Sequence, residues 1–339
     1  MTIASGLLET LSNGRNLLAF SAGVDSSALF HILIDYGISF DMAFVNYGVR
    51  READEEESHA LYLARKHSIK LYIERAPSWE SGFEANARRF RYDFFERVIE
   101  DHGYDNLLTA HQLNDRLEWL MMRLVRGAGA VELSGMRDME TRISRNGREY
   151  RLLRPILHLS RREITSYLER ENIRYFTDMS NYDEKYERNS FRKRYCDPLM
   201  QSYEKGIGRS FAYLDEDRDI LESLYRTLYR QKELVILSTT DDTIVPRACD
   251  RALKNFGYLM SASERRRVMR EKSSVVGRRW AVERVGELIY ISPYIKDITM
   301  PSDFREICRV LGIPPKVRPY IYRESIDPRR VPSPKGVFS

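Results

Sequence analysis

The sequence predicts an α/β fold, a doubly wound and mostly parallel sheet, followed by a mainly helical, basic C-terminal region. In the first 200 residues, short apolar runs alternate with helix-length amphipathic runs, as in sheets whose parallel strands are joined by helices. Residues 1–200 carry 29 basic and 31 acidic side chains, whereas residues 243–339 carry 20 and 10. We therefore expect two domains, at 1–205 and 206–339. The charge of the second indicates a polyanionic partner, although composition alone equally allows a solvated arginine-rich surface.

Each β–α pair of the first domain has its own signature. The expected strands are 17–20, 42–47, 70–74 and 106–110, and the expected helices are 26–36, 54–67, 83–102 and 115–126. Ser160 and Glu163 form the capping box of a further helix. The polar stretch 127–150 is long for a connector, so we expect a mobile active-site loop there. Ligands of such sheets bind beyond the carboxyl ends of the strands.

The second domain has weaker patterns. We expect a helical run from about residue 215 through 230, an arginine-rich helix at 263–270, and a loose proline-rich tail from 328 to 339. Strand-like segments lie at 234–237, 280–285 and 287–291.

Compartment and redox chemistry follow from what the sequence lacks. No apolar run approaches the roughly 20 residues that cross a bilayer, and the N-terminus has no signal-peptide pattern. Cys196, Cys249 and Cys308 are far apart and form no CxxC pair, which argues against an iron–sulfur or zinc site. We expect a cytoplasmic protein with buried, reduced thiols.

The most informative segment follows the first strand and precedes the first long helix. It consists of Ser21, Ala22, Gly23, Val24, Asp25, Ser26 and Ser27. Small residues allow a tight turn whose N–H groups converge on an anion at the helix N-terminus. Serine hydroxyls add hydrogen bonds to phosphate oxygens, and the Asp25 carboxylate suits Mg²⁺. Taken alone, the segment could also be a simple helix cap.

The segment resembles the SGGxDS phosphate loop of the PP-loop ATP pyrophosphatase superfamily, with Ala22 in place of one glycine. Alanine replaces glycine readily where φ is negative, so we expect a negative φ at this residue. Neither a Walker-type loop nor a GxGxxG dinucleotide motif is present in the sequence.

Further motifs, in order over roughly residues 17–198, narrow the resemblance to the tRNA(Ile)-lysidine synthetase family. The VNHxLR-like stretch is represented by Val45, Asn46, Val49 and Arg50, and the E-x-x-AR-x-x-RY helix by Glu84, Ala87, Arg88, Arg91 and Tyr92. The HxxDDxxET motif is represented by His111, Asp115 and Glu118, and the RGxG motif by Arg126, Gly127 and Gly129. The LLRPLL, RxEI and DxSNxDxxxxRNxxR elements appear as 152–157, 161–164, Asp178, Ser180, Asn181, Asp183, Arg188, Asn189 and Arg192. Two positions depart from the pattern, because Asn114 stands where the family usually has its first Asp, and Trp119 where it has Thr.

The resemblance implies a ligase that uses ATP and Mg²⁺ to join free lysine to C2 of the wobble cytidine of an isoleucine tRNA with a CAU anticodon. It implies an ATP loop over residues 21–26, with Asp25 as the metal ligand. The lysine-binding or catalytic candidates are His111, Asp115, Glu118, Arg126 and Arg188, and the tRNA-binding candidates are Arg88, Arg91 and Arg192. Ordinary surface ion pairs and turn caps would also explain several of these residues. Whether the protein forms a homodimer stays open.

Three rival interpretations remain. A tRNA thiolase of the same superfamily would usually carry paired or clustered cysteines. A small-molecule ligase resembling NAD or GMP synthetase would not need the basic C-terminal region. A non-catalytic ATP- or RNA-binding module would not need the carboxylates of Asp25, Asp115 and Glu118.

Overall fold

A computed structural model describes residues 1–48, 52–79, 81–177 and 187–334 of the chain. The chain divides into two compact units, Met1–Leu214 and Asp215–Ser339. The motif residues Val49, Arg50, Asp178, Ser180, Asn181 and Asp183 lie outside the described residues.

The first unit is built on a six-stranded sheet in the order β3-β2-β1-β4-β6-β5. Its strands are β1 (Asn16–Phe20), β2 (Phe40–Asn46), β3 (Leu71–Arg75), β4 (Asn106–Leu108), β5 (Met139–Ile143) and β6 (Glu149–Leu153). All neighbours pair in parallel except β5, which is antiparallel to β6. The predicted doubly wound, mostly parallel sheet is confirmed, and β1 lies inside it, where the strand order reverses.

Helices cover both faces of this sheet. The α-helices described between Met1 and Ser223 are α1 (Leu8–Asn13), α2 (Val24–Asp35), α3 (Glu52–His67), α4 (Phe83–His102), α5 (Leu113–Leu124), α6 (Ala130–Ser134), α7 (Arg161–Arg170), α8 (Glu187–Phe191) and α9 (Asp197–Ser223). One apolar core includes Phe30 of α2 and Ile164 of α7, and the other includes Phe95 and Ile99 of α4. A π-helical segment, Arg192–Cys196, joins α8 to α9.

The expectation of a loop over residues 127–150 is wrong. This stretch forms α6 and then a hairpin, in which β5 adds an antiparallel edge strand to the sheet. The hairpin was hard to predict because β5, an edge strand, exposes the apolar Met139 and Ile143 and half-buries the charged Glu140 and Arg142, the reverse of the usual alternation.

The second unit contains a five-stranded antiparallel sheet in the order β7-β8-β11-β10-β9. Its strands are β7 (Arg226–Gln231), β8 (Leu234–Ser238), β9 (Ser273–Val276), β10 (Trp280–Val285) and β11 (Leu288–Pro293), and its further helices are α10 (Val245–Lys254), α11 (Ala262–Arg270), α12 (Ser302–Leu311) and α13 (Arg318–Arg323). The helical C-terminal region is confirmed, and three of the strands were expected from the sequence.

Two details of the second unit correct the sequence-based expectation. The helical run does not reach residue 230, because α9 ends at Ser223 and 226–231 pairs with β8 as a strand. The described part of the proline-rich tail is not loose. Val331 is 4% exposed, and the Tyr290 hydroxyl donates a 2.8 Å hydrogen bond to the Pro332 carbonyl. Tertiary pairing overrides local propensity in both places.

Within the described ranges, no helix combines the length and the apolar character needed to cross a membrane.

Candidate active site

The 21–26 loop lies at the carboxyl end of β1, and α2 begins within it. The N-cap residue of α2 is Gly23, which has no side chain to cap the helix. The first N–H groups of any helix lack partners within the helix, so the N-terminus of α2 suits an anionic ligand. The Oγ atoms of Ser21 and Ser26 lie 3.0 Å apart, and Ser26 Oγ also contacts the Gly23 carbonyl at 3.2 Å. These contacts fix the turn.

Ala22 corrects one expectation, because its φ is +58° rather than negative. A left-handed backbone costs a residue with a Cβ about 1 kcal/mol or more. Two contacts hold the strained turn in place. The Ala22 carbonyl accepts a 2.9 Å hydrogen bond from the Phe176 N–H, and the methyl group is completely buried.

A cavity of about 860 Å³ opens beside the loop. Its lining includes the loop residues Ser21, Gly23, Val24, Asp25 and Ser26, the apolar side chains of Phe44, Val45, Phe95, Tyr175 and Phe176, and the polar side chains of Arg91, His111, Arg161, Thr165, Asn189, Arg192, Lys193 and Asp197. This volume suits a nucleotide-sized ligand. Below we call this space the cavity.

Asp25 is the unusual group of the cavity. Its Oδ1 is buried and makes no hydrogen bond to any described residue. Burial is the main cause that raises the pKa of Asp25 to about 7, and the nearby Asp115 carboxylate raises it further. The guanidinium groups of Arg161 and Arg192 oppose these effects without cancelling them. A buried carboxylate in this state is a strong candidate for binding a cation.

Asp115 and Glu118 lie in the first turns of α5, and both are buried. Asp115 Oδ2 accepts a 3.0 Å hydrogen bond from the Gln112 N–H, which completes a capping box. Glu118 pairs with Arg192, which donates to one carboxylate oxygen through Nε and to the other through Nη2 at 3.2 Å. The structure thus places Arg192, a tRNA-binding candidate, inside the cavity as the partner of a lysine-binding candidate.

The other candidates divide into two groups. His111 and Arg91 line the cavity, and His111 Nδ1 lies 3.0 Å from Thr109 Oγ1. Arg88 is exposed, with its guanidinium 4.9 Å from the centre of the Tyr92 ring. Arg126 follows the C-terminal end of α5, whereas Asp115 lies in the first turn, about 14 Å along the helix axis from the last helical residue, Leu124. Arg188 belongs to α8, and its side chain lies outside the described atoms.

Sequence reasoning missed Arg161 as a site residue. Arg161 is the first residue of α7, directly after the N-cap Ser160, and together with Thr165 it lines the cavity. The Ser160–Glu163 capping box, which was predicted and is confirmed, was the available signal, because it fixes where α7 begins. What the sequence could not show is that this helix begins at the cavity.

The donor set fits Mg²⁺. The orphaned Asp25 Oδ1 is a hard oxygen ligand beside the N-terminus that would receive phosphates. In the described part of the chain, no three His, Cys, Asp or Glu side chains form a metal-binding group. Proteins commonly hold Mg²⁺ through one or two carboxylates together with substrate phosphates and water.

The fold, the loop and the cavity define a PP-loop ATP-using enzyme, and residues 3–199 match the family described as the PP-loop domain. The chain is 40% identical over 327 residues to the tRNA(Ile)-lysidine synthase of Campylobacter jejuni, an alignment that covers 96% of this chain and 98% of that one. It is 40% identical over 320 residues to the Wolinella succinogenes synthase, with coverages of 94% and 96%. The chain therefore belongs to the tRNA(Ile)-lysidine synthase family.

Among solved structures, the chain is similar in fold to the U34-tRNA thiolase of Methanococcus maripaludis. The TM-score is 0.51 and the identity 18%, over 63% of this chain and 75% of that one. At this identity the likeness concerns the fold alone.

Proposed function

We propose that this enzyme uses ATP to join the ε-amine of free lysine to C2 of the wobble cytidine in the CAU anticodon of isoleucine tRNA. The products are lysidine, AMP and pyrophosphate. One observation supports the proposal most strongly. The N-terminus of α2 has no side-chain cap and borders the cavity, where Asp25 Oδ1 is buried without a hydrogen-bond partner among the described residues. The chain also aligns with a lysidine synthase over nearly its whole length.

The reaction has two steps. The C2 carbonyl of cytosine is a poor electrophile, so its oxygen first attacks the α-phosphorus of ATP and pyrophosphate leaves. The uncharged lysine ε-amine then attacks C2, the bond from C2 to the adenylated oxygen breaks, AMP departs and the new C–N group loses one proton. A base in a single-stranded loop can enter a pocket without the cost of unpairing.

The chain's own groups supply binding and charge. The N–H groups at the start of α2 and the hydroxyls of Ser21 and Ser26 suit the phosphate oxygens. Arg161 places a cation in the cavity that receives the charge of the leaving pyrophosphate. When bound at Asp25, Mg²⁺ supplies further positive charge to the phosphates.

The Glu118–Arg192 pair suits the amino acid. A zwitterionic α-amino acid presents an ammonium and a carboxylate, and this pair offers a charge complementary to each. We assign the lysine α-ammonium to Glu118 and its α-carboxylate to Arg192. Arg192 takes this role rather than the candidate Arg126, which follows the C-terminal end of α5.

The second unit supplies electrostatic binding of tRNA in this proposal. Arg266, Arg267 and Arg270 are exposed on α11. We expect the double variant Arg266→Ala/Arg270→Ala to weaken tRNA binding and to reduce the slope of log Kd against log salt by about two. Arg309→Ala is the matched control, because Arg309 already pairs with Glu306 on its own helix. An unchanged slope in the double variant would remove α11 from the tRNA interface.

Incubation with ATP, isotope-labelled lysine and bulk tRNA, followed by nucleoside analysis, tests the function. We expect a labelled, lysine-containing nucleoside that forms only with all three substrates. A sulfur-containing nucleoside would indicate a thiolase, AMP formed without tRNA would indicate a small-molecule ligase, and ATP binding without AMP would indicate a non-catalytic module.

A further inference from the structure

Two helices of the first unit are joined at the cavity by their N-terminal ends. The Leu113 N–H, at the start of α5, donates a 2.8 Å hydrogen bond to the Leu159 carbonyl, just before α7. In the opposite direction, the Arg161 N–H donates a 3.1 Å hydrogen bond to the side-chain Oδ1 of Asn114. Asn114 is 8% exposed, so this second contact is nearly closed to water.

The hydrogen bond from Arg161 to Asn114 gives the Arg161 N–H an acceptor that α7 itself does not provide. The capping box of α7 uses the Ser160 hydroxyl for the Glu163 N–H and the Glu163 carboxylate for the Ser160 N–H. The N–H of Arg161, the first helical residue, has no acceptor within α7. Asn114 supplies that acceptor from α5, and it thereby fixes the residue whose guanidinium faces the cavity.

The position of Arg161 matters because of the charges around it. Its side chain lines the cavity and acts electrostatically on the carboxylates of Asp25 and Asp197. The same end of α5 already contributes the buried carboxyl groups of Asp115 and Glu118. An aspartate at 114, the residue that the family usually has there, would accept the same hydrogen bond and would add one negative charge next to Arg161, beside a cavity that must bind a polyphosphate.

We propose that Asn114 is a positioning residue, whose side-chain oxygen fixes the Arg161 end of α7 at the cavity and whose neutral amide leaves one negative charge fewer beside the ATP phosphates than the family's usual Asp would. The proposal deepens the proposed function, on which its catalytic part rests. The hydrogen bond of the Asn114 side chain and its lack of charge can be tested separately by mutation.

Two variants separate them. Asn114→Ala removes the hydrogen bond and adds no charge. We expect it to lower kcat for AMP formation at least about tenfold, because Arg161 loses its fixed position. Asn114→Asp keeps the hydrogen bond and adds a charge. We expect its kcat to stay within about threefold of wild type, while the ATP KM and the Kd for a non-hydrolysable ATP analogue rise about tenfold.

Asn86→Ala is the matched control. Asn86 also lies in the first turn of a helix, α4, and its Nδ2 donates a 3.0 Å hydrogen bond to the Ser81 carbonyl. We expect its kinetics and analogue affinity to equal those of wild type. Circular dichroism and the urea midpoint of each variant identify any that unfolds, and Asn114→Asp keeps the charge part testable if Asn114→Ala does not fold.

Each part can be overturned separately. Wild-type kcat in Asn114→Ala contradicts positioning, and an equal loss of kcat in both variants does so too. Unchanged analogue affinity in Asn114→Asp contradicts the charge argument. Analogue binding needs no tRNA and no lysine. If the wild-type protein made no lysidine but the Asn114→Asp affinity still fell, the proposed function would fail while the charge argument survived.

Discussion

Asp25 in the cavity and Glu140 in the β5–β6 hairpin are both largely buried carboxylates, and each lies near two arginines. Glu140 accepts hydrogen bonds from Arg154 at 2.9 Å and from Arg142 at 3.2 Å. Burial alone would raise the pKa of Glu140, but the two guanidinium groups outweigh it and lower the pKa to about 2. Asp25 has arginines nearby but an unbonded Oδ1, and its pKa is raised to about 7.

The difference shows that arginines in direct contact, through their charge and their hydrogen bonds together, outweigh the burial of Glu140, whereas the arginines near Asp25 do not outweigh its burial. Glu140 is satisfied by its own chain, so it stabilises the folded hairpin. Asp25 is left unsatisfied, so the folded protein carries a cost that a bound cation offsets. A site residue and a structural residue of the same chemical type should therefore respond to mutation in opposite ways.

The largest effect is expected at Asp25. Asp25→Asn should lower the rate of AMP formation about 1,000-fold or more, because the amide is a poor ligand for Mg²⁺. The same change should raise the free energy of unfolding of the metal-free protein by about 1–3 kcal/mol, because it removes a buried charge without a partner. Urea titration with EDTA measures the second effect. An active variant, or one less stable than wild type, would break the comparison.

Glu140→Gln should have the opposite effects to Asp25→Asn, a loss of stability without a loss of activity. We expect it to lower the free energy of unfolding at pH 7 by about 2–3 kcal/mol, since it leaves the buried Arg154 without its charge partner, and to leave kcat unchanged. Because folding lowers the pKa of Glu140, the ionised carboxylate stabilises the folded protein at pH values above its ordinary pKa of 4.5. This stabilisation is lost as the pH falls toward 2. The cost of the mutation should therefore shrink between pH 7 and pH 3. A constant cost would show that the ion pair is not its source.

Glu118 tests a middle case, because it is a buried carboxylate whose partner, Arg192, lines the cavity. Glu118→Gln should raise the lysine KM at least about tenfold, close to the 1.4 kcal/mol of one charged hydrogen bond, with the ATP KM nearly unchanged. Glu140→Gln is the control for loss of a paired glutamate elsewhere. An unchanged lysine KM with an altered ATP KM would move Glu118 to the nucleotide side.

The smallest effect concerns the backbone of the same two regions. In the hairpin turn, the residue with a left-handed backbone is Gly147 (φ +88°), where an added Cβ would have space. In the 21–26 loop, the residue with a left-handed backbone is Ala22. Gly147→Ala should cost about 1 kcal/mol of stability. Ala22→Gly should change stability by less than about 0.5 kcal/mol, because relief of strain is offset by chain entropy and a lost buried methyl. Chemical denaturation of both variants checks this, and a loss above about 1 kcal/mol in Ala22→Gly would show that packing outweighs strain.

The sequence predicted those elements whose signals are local. The helix expected at 83–102 has the same bounds as α4, and glycines at 82 and 103 adopt left-handed conformations at its two ends. The loop between β1 and α2 was recognisable because its chemistry lies in consecutive residues. The resemblance to the family added the order of the remaining motifs.

What the sequence could not show depends on pairs of residues far apart in the chain. Glu140 and Arg154 face each other only because β5 folds back on β6. Arg161 becomes a cavity residue because Asn114, on another helix, holds its backbone. The positive φ of Ala22 is maintained by Phe176, more than 150 residues away. Such contacts have no periodicity that a sequence pattern could report.

The stoichiometry of a single reaction tests the central claim most directly. Wild-type enzyme with ATP labelled at the α-phosphate, excess lysine and tRNA carrying the CAU anticodon should release one AMP and one pyrophosphate for each lysine-modified cytidine. Under the same conditions, Asp25→Asn should release neither while remaining folded. Release of ADP and phosphate, or AMP formed at the wild-type rate by Asp25→Asn, would contradict the claim that the Asp25 cavity cleaves ATP between its α- and β-phosphates.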